Sequence, residues 1–214
     1  WLVQRARLHV RAALDGRLSP DELDVERLFL RKRWDNQALA HVQALVGNTP
    51  MLAIHIRMNG TKRTIYMKCE NSNLTGSIKD RMAAHILSSA IADGSLRKGD
   101  IIAEASSGNS GISFAALGAA LGHPVVIYMP DWMSAERKAL IRSYGAEIVL
   151  VSRLQGGFVG SIRKAEEAQA DQKARGVRVF LPRQFQNKVN AEAHELSTGP
   201  EILLQLASRG VRPA

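Results

Sequence analysis

Two hydrophobic periods alternate along the chain from about residue 46 onward. Apolar residues at every second position, as at Leu52, Ile54 and Ile56, predict strands, because neighbouring side chains of a strand point to opposite faces. Apolar residues four positions apart, as over 78–90, predict helices with one buried face. The predicted strands cover residues 52–56, 65–67, 101–104, 125–129, 147–151 and 179–181. The predicted helices cover residues 78–93, the stretch from the 106–111 loop to 121, 134–144 and 158–175, and a last helix begins near Glu192 or Glu201.

Strands and helices alternate here with short connections. This order is typical of an α/β fold in which a parallel sheet is covered by helices on both faces, giving three layers. Ligands of such sheets bind at the carboxyl ends of the strands, in the loops that lead to the helices. Two loops of the chain have this position, residues 71–79 and residues 106–111. We therefore expect the chemistry of the protein to lie in these two loops.

Residues 1–45 precede the alternating pattern and predict helix. Leu23 and Leu28 fall near helical spacing, and Ser19-Pro20-Asp21-Glu22 has the cap, the proline and the acidic residues that are typical of a helix start. No residue combination in this stretch indicates catalysis. We interpret residues 1–45 as a helical N-terminal extension packed on the main domain, residues 46–214.

The first residues and the single cysteine bear on location. The first 14 residues contain arginines and no acidic residue, as in part of a transit peptide, but acidic residues follow at once. That change favours the alternative, an amphipathic helix of a cytoplasmic protein. Cys69 is the only cysteine, so an intrachain disulfide is excluded and a reducing compartment is favoured. The sequence predicts a cytoplasmic location.

Composition excludes several classes of partner. Hydrophobic residues make up 45% and charged residues 23% of the 214 residues, which is ordinary for a globular domain. No apolar run reaches the length of a membrane span, so no membrane partner is expected. The net charge of +9 comes from scattered residues without interleaved aromatics, so no nucleic acid is expected. The six histidines show no metal-ligand spacing, and no metal is expected.

The first loop ends with a lysine in the first turn of a predicted helix, in the order Ser77-Ile78-Lys79-Asp80. Ser77 and Asp80 have the spacing of a capping box. The positive end of the helix dipole and partial burial disfavour the charged form of the Lys79 amine. A neutral amine is the form that condenses with an aldehyde, so Lys79 is a candidate for Schiff-base chemistry. The alternative is a lysine that points into water, and this loop alone does not decide between them.

The second loop reads Ala105-Ser106-Ser107-Gly108-Asn109-Ser110-Gly111 and opens another predicted helix. Its glycines allow close approach of a ligand, and its free N–H groups and hydroxyls can bind an anion such as a carboxylate or a phosphate. An ordinary capped turn uses the same residue types and is the alternative.

Six motifs follow one another along the chain: Gly47-Asn48-Thr49-Pro50, Gly76-Ser77-Ile78-Lys79-Asp80-Arg81, Ser107-Gly108-Asn109-Ser110-Gly111, Met129-Pro130-Asp131-Trp132-Met133-Ser134-Ala135-Glu136-Arg137, Gln184-Phe185-Gln186-Asn187 and Thr198-Gly199-Pro200-Glu201. In content and order they resemble the fold type II enzymes dependent on pyridoxal 5'-phosphate (PLP). Within that group, which has the tryptophan synthase β-like fold, they are similar to the cysteine synthases (O-acetylserine sulfhydrylases) and the cystathionine β-synthases. The resemblance covers the chain from about residue 46 to its last residues.

The resemblance implies a role for each residue that matches the family's motifs. Lys79 would bind PLP as a Schiff base and act as the general base, and Asn109 would hydrogen-bond the ring hydroxyl of PLP. The α-carboxylate of an amino-acid substrate would be bound by Ser106, Ser107, Gly108, Asn109, Ser110 and Gln184.

The implied reaction is β-replacement on an activated serine such as O-acetylserine, through an α-aminoacrylate intermediate, with sulfide giving cysteine. The resemblance also implies a homodimer. Leu74, Ser110, Arg183 and Lys188 depart from the residues that are common in the family. These departures leave open another nucleophile, as in cystathionine or diaminopropionate synthesis.

The family's glycine-rich loop for the PLP phosphate is expected shortly after Glu201, and the 214 residues end before it. The C-terminal part of the fold is therefore expected to be missing from this sequence. The glycines over 156–160 occupy the position of another loop and do not replace it. An alternative function follows, a catalytically incompetent lobe that acts by protein–protein contact.

Overall fold

The computed structural model describes residues 37–212. The predicted helices of the N-terminal extension lie outside the described residues, apart from helix α1, Gln37–Gln43, whose Leu39 and Val42 are buried. The division of the chain between residues 45 and 46 stays a prediction.

The first two predicted strands form a hairpin of their own. Strand β1 covers Met51–Met58 and strand β2 covers Thr61–Lys68, and they pair antiparallel with Ile54 opposite Ile65. The turn is made by Asn59 and Gly60, whose φ angles of 50° and 77° are those of a tight hairpin turn. The sequence predicted both strands, but this two-residue turn places them in a separate sheet rather than in the parallel one.

The rest of the chain alternates as the hydrophobic periods predict, and apart from the start of the helix after the second loop no boundary differs by more than one residue. In order, the elements are α2 (Lys79–Asp93), β3 (Ile101–Ala105), α3 (Asn109–Ala120), β4 (Val125–Pro130), α4 (Ala135–Ser143), β5 (Glu147–Val151), α5 (Gly157–Ala174) and β6 (Val179–Phe180). Strands β3 to β6 form a four-stranded sheet in the order β5-β4-β3-β6. All of its pairings are parallel, which confirms the predicted α/β class.

Helices cover both faces of this sheet, which gives the predicted three layers. Helices α2, α3 and α4 share one core with the sheet, centred on Ile102, Phe114 and Ile127, all at 0% exposure. Helix α5 packs on the other face through Ala165 against Ala103 and the neighbouring strand. Full burial of one such large apolar side chain contributes about 1.5–3 kcal/mol, so these two cores fix the positions of the strand ends.

Small residues bring α3 close to the sheet. A Cβ atom added at Gly118 would lie 2.3 Å from Cγ2 of Val125, and one added at Gly111 would lie 3.2 Å from Cγ2 of Ile127. The glycines therefore allow an approach that a larger residue would prevent. This approach places the first turn of α3 directly over the carboxyl ends of β3 and β4.

The C-terminal residues form one nearly continuous helical run. It consists of α6 (Val189–Ala193), a π-helical turn (His194–Thr198) and α7 (Gly199–Ala207). The sequence placed the start of this helix near Glu192 or Glu201, and the structure places it at Val189. Helix α6 packs against α2. Within residues 37–212, no helix combines the length and the apolar character that crossing a membrane would require.

Candidate active site

A buried aspartate joins the two loops that the sequence singles out. The carboxylate of Asp80, at 0% exposure, accepts hydrogen bonds from the N–H (2.7 Å) and the hydroxyl (2.5 Å) of Thr75 in the first loop. It also accepts one from the hydroxyl of Ser113 (2.6 Å), which lies one turn into α3, the helix that follows the second loop. Helices α2 and α3 pack against each other along the same contact. The first turn of α2 is thus fixed beside the first turn of α3.

The same contacts correct the predicted capping box. Asp80 is bound to Thr75 and Ser113, so it does not return to the backbone of Ser77, and α2 has no side-chain cap at its N-cap position. Ser77 contributes differently, since its hydroxyl accepts the N–H of Lys79 at 3.2 Å. Asp80 links the two loops because its buried position has two hydroxyl donors within reach and is closed to solvent.

Lys79 is the first residue of α2 and is partly buried. The π-helical turn of the C-terminal run contacts α2, and His194 of this turn is close enough to Lys79 for their charges to interact. Burial lowers the pKa of His194, and the nearby positive charges of Lys79 and Arg81 lower it further. The ring of His194 also hydrogen-bonds Thr198 through Nδ1 (2.9 Å). The helix that begins at Lys79 therefore packs beside the turn that carries His194.

The second loop is organised by its first serine. The hydroxyl of Ser106 accepts the N–H groups of Gly111 (2.8 Å) and Gly108 (3.3 Å), and Ser106 itself is 3% exposed. These bonds curl the loop around Ser106. Ser107 and Asn109 are exposed as a result. Ser106 shapes the loop, while Ser107 and Asn109 face outward from it.

The structure brings Ser110 and Gln184 together, although 74 positions separate them in the sequence. The hydroxyl of Ser110 donates to Oε1 of Gln184 at 2.6 Å, and both residues are buried. Nε2 of Gln184 donates to the carbonyl of Ala105 at 3.2 Å. Gln184 thus reaches the second loop from the side, which is where the resemblance expected it.

Sequence reasoning did not single out Glu104, the last but one residue of β3, just before the second loop. Glu104 is 5% exposed, and burial raises its pKa to about 7. Its Oε1 accepts the N–H of Ala105 (2.9 Å) and its Oε2 accepts the N–H of Gln184 (3.3 Å). A signal was available, because an acidic residue at the end of the apolar run Ile101-Ile102-Ala103 has to be buried with it.

An ion network accounts for two of the six motifs. The side chain of Arg81 is 1% exposed and contacts Glu201 (Nη1–Oε2 2.8 Å) and Glu70 (Nε–Oε2 2.7 Å). Glu201 also accepts from Lys68 and from the N–H groups of Asn48 (3.0 Å) and Thr49 (2.8 Å). The motifs at 47–50 and 198–201 therefore meet at Arg81. Their contacts hold residues 47–50, α2 and α7 together.

Within residues 37–212, no group of three or more histidine, cysteine, aspartate or glutamate side chains is arranged to hold a metal ion.

A parallel α/β sheet with a lysine at the start of a helix and a hydroxyl-rich loop at the start of the neighbouring helix is the arrangement that the resemblance to PLP-dependent enzymes of fold type II implies. Comparison with known proteins agrees with this class. The family described as "Pyridoxal-phosphate dependent enzyme" matches residues 42–212. The chain belongs to this family, and within it to the cysteine synthase group.

Curated relatives of the chain are cysteine synthases. The chain is 37% identical over 171 residues to a cysteine synthase of Staphylococcus aureus (strain N315), which covers 80% of this chain and 53% of that protein. It is 41% identical over 160 residues to cysteine synthase B of Pseudomonas syringae pv. syringae, covering 75% of this chain and 91% of that protein. The chain spans about half the length of the Staphylococcus aureus relatives that it matches.

Two solved structures that are similar to the chain belong to enzymes with related activities. A hydrogen sulfide-producing enzyme from Fusobacterium nucleatum is 50% identical, with a TM-score of 0.76 over 80% of this chain and 50% of that one. An O-ureido-L-serine synthase is 36% identical, with a TM-score of 0.68 over 82% of this chain and 52% of that one.

The side chains present fit the aldehyde and the ring-hydroxyl end of PLP. Lys79 supplies a partly buried primary amine at a helix start, and Asn109 supplies an exposed amide at the head of the neighbouring helix. Asn109 follows the carboxyl end of β3, the edge where ligands of parallel sheets bind. The donor set therefore suits the cofactor of the family.

Proposed function

We propose that this chain carries the lysine and the carboxylate-binding loop of a PLP-dependent enzyme that replaces the β-substituent of an activated serine such as O-acetylserine. Sulfide is the proposed nucleophile and cysteine the product. The observation that carries the proposal is the bridge through Asp80, which holds the Lys79 loop against α3 and its Ser106–Ser110 loop. The cysteine synthase relatives support the same reaction.

Two residues of the proposal act on the cofactor and on the reacting proton. Lys79 holds PLP through its amine, and Asn109 donates its amide to the ring hydroxyl. When bound, PLP withdraws the electrons that the α-carbon of the substrate gains as it loses its proton. The amine of Lys79 removes that proton and later returns it, as a general base and acid held within reach of the α-carbon.

The second loop orients the substrate. The α-carboxylate binds to the backbone N–H groups of Ser107 and Asn109, on either side of Gly108, at the positive end of the α3 dipole. Gln184 meets it from the side through its amide, which the hydroxyl of Ser110 holds in place. A carboxylate gripped in this way fixes the direction of the Cα–H bond toward Lys79, which converts binding energy into correct geometry for proton transfer.

Replacing Ser110 by alanine is expected to raise KM for the amino-acid substrate about tenfold or more, because it removes the hydroxyl that holds the Gln184 amide for its hydrogen bond to the carboxylate, and a hydrogen bond to a charged group contributes about 1.5–3 kcal/mol. The value of kcat is expected to change less, since Lys79 keeps its position. Steady-state kinetics with varied amino acid measures both constants. Ser110→Thr is the matched control, because it keeps the hydroxyl, and its KM should stay close to that of the original protein. Equal KM values for Ser110→Ala and Ser110→Thr would contradict the role in carboxylate binding.

The proposed reaction is tested by adding O-acetylserine and sulfide to the protein with PLP in excess. Acetate release that depends on sulfide, together with cysteine formation, is the expected result. Acetate release that increases with added homocysteine or ammonia but not with sulfide would point to another nucleophile, as in cystathionine or diaminopropionate synthesis. A protein that stays colourless with excess PLP and turns over no substrate would overturn the proposal in favour of a lobe that acts by protein–protein contact.

A second candidate activity is the release of sulfide from cysteine. The 50% identity to a hydrogen sulfide-producing enzyme favours it. The same residues would serve, because sulfide then leaves the β-carbon instead of attacking it. Sulfide production from cysteine alone, at a rate above that of cysteine synthesis from O-acetylserine, would select this candidate over the first.

The proposal includes a cytoplasmic homodimer in which residues 1–45 form an extension of the catalytic domain. The oligomeric state is checked by light scattering on the purified protein.

A further inference from the structure

Strand β6 ends after two residues, and this leaves a gap beside the end of β3. Its pairing with β3 stops at Ile102 opposite Phe180. The next residues of β3 therefore lack a strand neighbour on that side. Gln184 nevertheless has to stay close to the second loop to meet Ser110.

The carboxylate of Glu104 fills this gap. Its Oε2 accepts the N–H of Gln184 (3.3 Å), while the carbonyl of Gln184 accepts from Nδ2 of Asn190 (2.8 Å). Glu104 thus supplies the hydrogen-bond acceptor that a neighbouring strand would otherwise offer to the backbone N–H of Gln184. Arg183, which precedes it, has a φ of 51°, a left-handed conformation that residues other than glycine adopt rarely. Such a conformation persists where surrounding contacts hold it, and Glu104 provides one at the N–H of Gln184, the residue that follows Arg183.

We propose that Glu104 is the positioning residue of the Ser110–Gln184 pair, that its ionised carboxylate holds Gln184 in place, and that protonation of this carboxylate loosens the grip on the substrate. This inference rests on the proposed function of the pair in binding an α-carboxylate. Glu104 acts through the backbone of Gln184 and does not touch the substrate.

The charges around Glu104 permit titration at working pH. Glu104 lines a groove together with residues of α5 and of the loop after β6. Among the described residues, the charged residues of this groove are Glu104, Glu166 and Arg183. Glu166 and Arg183 pair with each other (3.7 Å), and both are about half exposed. Burial raises the pKa of Glu104 to about 7, and the N–H groups of Gln184, Ala105 and Arg183, with the charge of Arg183, offset burial only in part. Glu104 is therefore ionised at pH 8 and largely neutral at pH 6.

Protonation changes what Glu104 can do. An ionised carboxylate accepts with both oxygens, whereas a neutral carboxyl group carries a proton on one of them and needs an acceptor for it. The N–H of Gln184 or that of Ala105 then loses its partner. The side chain of Gln184 loses its fixed position relative to Ser110 as a consequence.

The first test uses the PLP-loaded full chain without substrate. The amide resonance of Gln184, followed by NMR between pH 5.5 and 8.5, is expected to shift with an inflection near pH 7. In Glu104→Gln the inflection should be absent. A Gln184 amide that does not titrate in the original protein, or one that titrates equally in Glu104→Gln, overturns the inference. This readout needs no turnover, so it decides the inference even if the proposed reaction fails.

The second test is kinetic. In the original protein, KM for the amino-acid substrate is expected to rise about tenfold as pH falls from 8 to 6, a change that one charge-assisted hydrogen bond accounts for. In Glu104→Gln this rise should be absent, and Glu104→Asp should retain it in reduced form. Glu166→Gln is the matched control, because Glu166 lines the same groove and pairs with Arg183, and its profile should follow that of the original protein. A pH dependence of KM that survives in Glu104→Gln contradicts the inference.

Discussion

Replacing Lys79 by alanine is expected to lower kcat by about 10³-fold or more, since one amine both holds the cofactor and moves the reacting proton. Lys79 is the first residue of α2, and the neighbouring Asp80 binds Ser113 of the helix that follows the proposed carboxylate-binding loop. The variant should also lose covalent attachment of PLP. The measurement combines turnover, visible absorbance after addition of PLP, and mass analysis of peptides after borohydride reduction.

Lys98→Ala is the control for this prediction. Lys98 is exposed and precedes the amino end of β3, at the sheet edge opposite to the candidate site. This variant should keep the turnover, the absorbance and the reduced PLP adduct of the original protein. If Lys79→Ala still yields an adduct on another lysine together with unchanged turnover, the catalytic amine lies elsewhere and the candidate site is wrong.

The sequence predicted most of the fold because hydrophobic period reports which side chains are buried. Period two and period four distinguished strands from helices in the part of the chain where each element packs on one core. The period did not reveal which strands pair. The hairpin of β1 and β2 depends on Asn59 and Gly60, whose positive φ angles make a two-residue turn. Pairing is thus decided by the connection, which the hydrophobic pattern does not record.

The candidate site was predictable to the extent that its residues lie in short motifs. The helix-terminal position of Lys79 and the meeting of Gln184 with the second loop agree with expectation. Long-range partners were not predictable from spacing. Asp80 was expected to cap its own helix, yet its carboxylate binds Ser113, which is 33 positions away. Such a contact depends on how α2 and α3 pack, and that geometry exists only in the folded chain.

The motifs also divide between chemistry and scaffold, which the sequence alone did not separate. The residues at 47–50 and 198–201 occur in the family's order together with those of the two loops. In the structure, Glu201 accepts from the guanidinium of Arg81, and the N–H groups of Asn48 and Thr49 donate to the same carboxylate. Arg81 lies two positions after Lys79 on α2. The ion network therefore fixes the helix that presents the candidate catalytic amine.

Replacing Glu201 by glutamine is accordingly expected to lower the free energy of unfolding by about 3–5 kcal/mol, the usual effect of removing one partner from a buried ion pair. The side chains of Lys68 and Arg81 are 8% and 1% exposed, so neither can turn to water for a substitute partner. Urea denaturation at pH 7 measures the change through the transition midpoint at constant slope. Glu167→Gln is the control, because Glu167 and Arg163 form an exposed pair of one helix face (3.5 Å), and such pairs contribute at most about 1 kcal/mol.

The change of stability with falling pH distinguishes the contribution of the charge of Glu201 from the contribution of its shape. Burial by itself would raise the pKa of Glu201, but the hydrogen bonds and charges of Arg81 and Lys68 outweigh burial and lower the pKa to about 2. A lowered pKa in the folded state means that the stabilisation is present above the unfolded value of 4.5 and is lost as pH falls from there toward 2. Glu201→Gln should therefore lose less stability than the original protein over this interval, whereas Glu167→Gln should follow the original protein. A Glu201→Gln variant that is within 1 kcal/mol of the original protein at pH 7, with the same acid dependence, would mean that the network contributes no net stability to α2, because exposed pairs reach about that value.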